Sequence, residues 1–188
     1  MASRRMAIAL ALVIVGGVDA AVQQTGQEAF RATATIETAG GARATAPVMI
    51  VVERTTTAPE AETLARAFTT GGESALRKAL SGLPPAGSVK IGDAPAAVVR
   101  IALDRPTDKG RLLTLVTDQP ILFLGAGLPG AKSKAGYGFG VLDIEIDADG
   151  NGSGTLSPAA KVKVAQGAFV VDDYATEAIR LTGVQRAR

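Results

Sequence analysis

The sequence predicts a mainly β domain, an antiparallel sandwich or barrel of short strands, with a helical hairpin inserted at residues 57–83. Three observations carry this reading. Short segments of strict apolar–polar alternation recur along the chain, separated by Gly, Pro, Asn and Asp. A single region has apolar residues at helical spacing behind a capping signature. Strands and helices do not alternate along the chain, so a parallel sheet is not expected. An α+β domain is the alternative.

The first strand follows a polar lead, Gln23 to Glu28. Phe30, Ala32, Ala34 and Ile36 point one way, while Arg31, Thr33, Thr35 and Glu37 point the other. That pattern predicts a strand with one wet face. Gly40-Gly41 supplies a turn. Pro47 to Val52 is almost continuously apolar, which predicts a strand covered on both faces.

Thr57 is placed as a helix cap, with Glu60 as its capping-box partner. Ala61, Leu64, Ala65 and Phe68 then form one apolar stripe. Gly71-Gly72 interrupts, and Ala75, Leu76, Ala79, Leu80 and Leu83 form a second stripe, ended by Gly82 and Pro84-Pro85.

The remainder reads as β. Val89 to Ile91 is short. Val99, Ile101 and Leu103 alternate with Arg100, Ala102 and Asp104. Strands follow at Arg111 to Asp118 and Ile121 to Leu124. Leu142, Ile144 and Ile146 alternate with Asp143, Glu145 and Asp147, and Thr155 to Val164 carries Val162 and Val164 opposite Lys161 and Lys163. Phe169 to Val171 and Ile179 to Val184 close the chain.

Residues 1–20 read as a cleavable signal peptide. Arg4 and Arg5 supply the positive end, Met6 to Val15 the apolar run, and Val18-Asp19-Ala20 the small residues before cleavage. The apolar run is too short to span a bilayer, and no Cys follows it for lipid attachment. The partial match around Arg4-Arg5 favours the general secretory route over a twin-arginine signal. The expected location is therefore the periplasm or the extracellular space, with no transmembrane anchor after cleavage. Residues 21–188 form the expected single domain.

Removing residues 1–20 leaves 168 of the 188 residues, enough to bury a core without disulfides. That suits a chain without Cys. Of the 20 basic and 18 acidic residues, 18 and 17 remain after cleavage. The near-balance argues against a nucleic-acid partner. The absence of His and Cys removes Ser-His and Cys-His nucleophiles and nitrogen- or sulfur-rich metal sites. With no Trp, and Tyr137 and Tyr174 the sole tyrosines, stacking platforms are scarce.

Four motifs bear on chemistry. Gly125 to Gly130 matches a dinucleotide fingerprint, but Pro129 and the residues to Gly140 do not favour the helix such a site requires. It reads instead as a glycine-rich loop whose Lys132, Lys134 and Tyr137 are candidates for an anion or partner contact. Asp147, Asp149 and Asn151 match the start of a calcium loop, but its twelfth position is Pro158 rather than Glu. A hairpin turn is the first reading there, and loose calcium binding the second; no other cofactor is expected. Ser133-Lys134 and Ser74 to Lys78 hold the residues of serine–lysine hydrolysis, without a desolvated Lys to act as base. Asp143, Glu145 and Asp147 read as a solvated face near Lys161 and Lys163.

The chain resembles a family of uncharacterised exported bacterial proteins. The resemblance lies in Gly72 to Leu80, in Thr117 to Phe123, in Leu142 to Asp147 with its glycine-rich turn, and in Ile179-Arg180-Leu181. It implies export and a shared fold, and names no substrate. The leading expectation is a non-catalytic module binding a small ligand, in a barrel mouth if the sheet closes. A structural or protein-interaction module of the envelope is the alternative, favoured by a sealed interior. A carboxylate-dependent hydrolase is the third, requiring two carboxylates in one cleft.

Overall fold

A computed structural model describes residues 26–37, 43–121, 137–165, 168–174 and 178–187. The signal-like segment lies outside the described residues. The elements are β1 (Glu28–Glu37), β2 (Arg43–Val52), α1 (Ala58–Ser81), β3 (Gly87–Ile91), β4 (Ala97–Thr107), β5 (Gly110–Thr117), β6 (Phe139–Asp147), β7 (Asn151–Ala165), β8 (Ala168–Tyr174) and β9 (Ile179–Arg186).

Eight antiparallel strands close a barrel in the order β6-β5-β4-β3-β2-β1-β9-β7, with β7 pairing back onto β6. The alternation in the sequence decides which side chains fill it. Ala102, Leu115, Leu142, Leu156 and Ile179 face one another in one row across five neighbouring strands. All five are 0% exposed. Phe30, Ile50, Leu113 and Ile144 join the same packed interior. Many outward positions away from α1 are polar, as at Arg31, Thr33 and Arg180, which are exposed. Apolar inside and polar outside is the reverse of a membrane-spanning barrel. Among the described residues no helix is long and apolar enough to cross a membrane.

β7 outruns the ring. Its first part pairs with β6 and β9, and its end, Ala160 to Ala165, pairs with β8. The expected Ile121 to Leu124 strand is not seen at Ile121, and its other residues lie outside the described ones.

Three local expectations are corrected. β2 is not covered on both faces: Val48, Ile50 and Val52 are buried, while Met49 and Val51 are half-buried. Val99, Ile101 and Leu103 do not share a face. A bulge between Val99 and Ile101 shifts the register against β5. Because side chains alternate with period two, this extra residue turns Ala102 inward and Ile101 outward. The two expected helical segments are present but have no linking loop: they meet at a kink at Gly72 (φ 64°, ψ −155°). That left-handed φ is one that only Gly adopts at little cost.

The outward turn of Ile101 gives α1 its seat. Leu64, Leu76 and Leu80 pack on Ile101, Val116, Phe139 and Val141, forming a second core outside the ring. At the N-terminus of α1 the expected capping box forms: Thr57 N–H donates to Glu60 Oε2 at 2.8 Å, and Glu60 N–H to Thr57 Oγ1 at 3.4 Å. Arg54 donates to the same carboxylate at 2.9 Å. Partial burial disfavours the charged Glu60, but the hydrogen bonds from Thr57 and Arg54 outweigh it and hold its pKa below the usual value.

The end of the barrel beside the β4–β5 and β6–β7 turns is closed by charge. Arg111 bridges Glu28 and Asp104, each at 2.7 Å, with its guanidinium 5.8 Å from the centre of the Phe30 ring. Arg186 also pairs with Glu28.

Candidate functional site

A concavity of about 930 Å³ lies on the outer face of the barrel. Its floor follows from the register. One row of outward side chains runs Thr114, Asp143, Thr155 and Arg180 across β5, β6, β7 and β9. The next runs Arg105, Leu112, Glu145 and Ser153 across β4 to β7. All eight line the groove, and Val116, Val141 and Val162 give it an apolar end beside α1.

Thr114 is 5% exposed and its hydroxyl donates to Asp143 Oδ1 at 2.6 Å. One carboxylate oxygen is thereby fixed, while Oδ2 has no protein donor among the described residues. Glu145, Arg105 and Arg180 are exposed and have no ion-pair partner among the described residues. Arg54, Arg77, Arg100 and Arg111 are in ion pairs, whereas Arg31, Arg43 and Arg66, like Arg105 and Arg180, have none among the described residues. The groove therefore offers free acceptors at its centre and free guanidinium donors at either side.

Lys132 and Lys134 lie outside the described residues. Tyr137 is buried, 7% exposed, at the end of that loop. Asp147 Oδ1 accepts the backbone N–H groups of Asp149 (3.0 Å) and Asn151 (2.8 Å), so this carboxylate organises the β6–β7 turn. Among the described residues no group of three or more His, Cys, Asp or Glu is arranged to hold a metal ion. Lys161 and Lys163 pair with Asp172 at 3.7 and 2.8 Å rather than with the β6 carboxylates.

Asp143 and Glu145 were legible as outward-facing residues. Arg105, Thr114, Thr155 and Arg180 were not singled out, because alternation assigns a face but not a neighbour. No family model matches the chain, and neither does any curated protein or solved structure.

Proposed function

We propose that the protein is an exported, non-catalytic interaction module of the cell envelope that holds a polar polypeptide segment of a partner in the outer groove. One observation carries this reading: apolar side chains fill the barrel interior, while charges with no ion-pair partner among the described residues line the outer concavity. An apolar small ligand would be drawn to an enclosed apolar cavity, and the rows through Leu115 and Leu142 occupy that space. An open groove with mixed charge suits a hydrogen-bonding main chain with charged side chains.

A photo-crosslinking residue at Thr155, within the groove, tests this against one at Thr33, on the exposed face of β1. A discrete protein adduct from Thr155 alone supports the reading. Identical adduct patterns from both positions would sink it. The intact mass of the protein from its own host tests export, with cleavage expected after Ala20.

A carboxylate-dependent hydrolase is the second reading. Asp143 and Glu145 line one groove from alternate positions of β6, about 7 Å apart along the strand. Turnover lost in both Asp143→Asn and Glu145→Gln would favour it.

A further inference from the structure

Asn151 is the only asparagine in the chain, and Gly152 follows it. It stands exposed at the start of β7. Its backbone N–H is held by Asp147, while its carboxamide makes no hydrogen bond to another described residue. We infer that Asn151 is a site of spontaneous deamidation, closed by the backbone nitrogen of Gly152 and restrained in the folded protein by Asp147. The inference is independent of what the groove holds.

The chemistry needs only these two residues and water. The Gly152 nitrogen loses its proton to solvent base and attacks Asn151 Cγ. The new N–Cγ bond closes a cyclic imide, the Cγ–Nδ2 bond breaks, and ammonia leaves. Water then opens the imide at either carbonyl, giving aspartate or isoaspartate. Glycine obstructs this attack least, because it has no Cβ. Asp149-Gly150 has the same form, but a carboxylate must first be protonated to lose its oxygen as water.

The fold sets the rate. Asn151 is in register with Gln185 on β9, and Gly152 with Ile146 on β6 and Val184 on β9. The ring holds the backbone outside the extended range, so residue 151 must leave the ladder before the imide closes. Asp147 is the side chain that opposes this. Its Oδ1 accepts the N–H of Asn151 at 2.8 Å and that of Asp149 at 3.0 Å. Gly150, with φ 83°, donates to the Asp147 carbonyl at 3.1 Å. An exposed turn opens more readily than the core behind it. A reaction slower than reclosing follows the open population, so removing the carboxylate speeds it. Either product puts a new carboxylate in the hollow that Asn151 shares with Lys109, Glu145 and Asp147. Glu145 and Ser153 line this hollow and the outer groove alike, so the modification changes the charge beside the groove.

Peptide mapping of the full chain after incubation in mildly alkaline buffer tests the inference, with aspartate and isoaspartate at residue 151 as the readout. Conversion is expected to be slow in the native chain and fastest in the chain denatured in urea. Asp147→Ala is expected to speed native conversion about tenfold, as fits the loss of hydrogen bonds to a charged group. Asp149→Ala removes the same charge from the same turn but none of these hydrogen bonds, and is expected to match the native rate. Asp147→Asn keeps an acceptor oxygen and is also expected to stay near the native rate, which keeps the test decisive where Asp147→Ala fails to fold. No conversion at residue 151 in the native chain overturns the site. Equal rates in the native chain and Asp147→Ala, or an equal rise in Asp149→Ala or Asp147→Asn, overturn the restraint.

Discussion

Arg77 donates to the carbonyl of Gly138 at 2.8 Å, tying the helix to the residue before β6. The same guanidinium donates to the carbonyl of Asp118 at 2.7 Å, just beyond β5, and lies 4.9 Å from the centre of the Phe139 ring. Glu73, one helical turn back, aligns it through two hydrogen bonds of 3.0 and 2.9 Å. One side chain therefore holds both ends of the connection between β5 and β6. A Lys has the charge but not the fork that reaches two carbonyls at once. Arg77→Lys is expected to lower stability by about 1.5–3 kcal/mol, the range for hydrogen bonds to a charged group, read by urea denaturation. Stability equal to wild type would show that the clamp is not structural.

Gly138 is the counterpart of that clamp. A Cβ there would collide with Arg77 Nη2, so Gly138→Ala and the present Arg77 position are incompatible. Gly138→Ala is expected to cost about 1–3 kcal/mol in the native background, as overpacking does. The cost should fall in Arg77→Ala, where the guanidinium is gone and the Glu73 carboxylate, which the Cβ would also crowd, is released from its hydrogen bonds to Arg77. A double-mutant cycle measures this coupling, and additive costs would refute it.

The strands were largely legible in the sequence, and the reasons differ by element. Leu142, Ile144 and Ile146 announced their buried face because the charged Asp143 and Glu145 stand between them. The cap at Thr57 and Glu60 was legible because capping is local chemistry over four residues. The bulge after Val99 was not, since Arg100 reads as one more outward residue until the Asp118 carboxylate that takes its side chain is known. Helix α1 shows a related limit: Gly71-Gly72 marked a break, but not whether a loop or a kink fills it. Groove residues Arg105 and Arg180 lie 75 positions apart and meet one surface through pairings that no local pattern specifies.

Glu60 makes the cap sensitive to acid. Its folded-state pKa lies below the ordinary 4.5, so the charged form favours folding. The contribution is complete above the unfolded value and is lost as the pH falls through the folded one. Glu60→Ala is expected to cost about 1 kcal/mol at pH 7. The difference from wild type should persist down to pH 4.5 and shrink below it. Thermal melts of the two proteins across this range check the sign; a gap that widens in acid would contradict it.

The ionic closure at the barrel end rests on Glu28, whose side chain is 14% exposed and pairs with both Arg111 and Arg186. Glu28→Gln weakens two partners at once, one of them packed beside Phe30. The expected loss is about 1–3 kcal/mol, in the range for leaving partly buried polar groups poorly paired. Asp104→Asn removes a more exposed contact and is expected to cost under about 1 kcal/mol. Denaturation at low and high salt separates the two, because screening acts far less on the enclosed pair. Equal costs, both abolished by salt, would place the cluster among ordinary surface charges.

The filled interior is the feature on which the choice between an internal ligand and an external partner depends. Leu142 is 0% exposed and is flanked by Leu115 and Leu156 in the central row. Leu142→Ala deletes atoms that the neighbouring strands cannot fully replace. It is expected to cost about 2–5 kcal/mol, with the residual space setting the value within that range. An apolar cavity of that kind stays dry and takes up xenon or benzene. The variant should therefore regain stability under xenon pressure, while the native protein gains none. Xenon binding by the native protein would mean that the barrel holds usable space, and would return the search for a ligand to its interior.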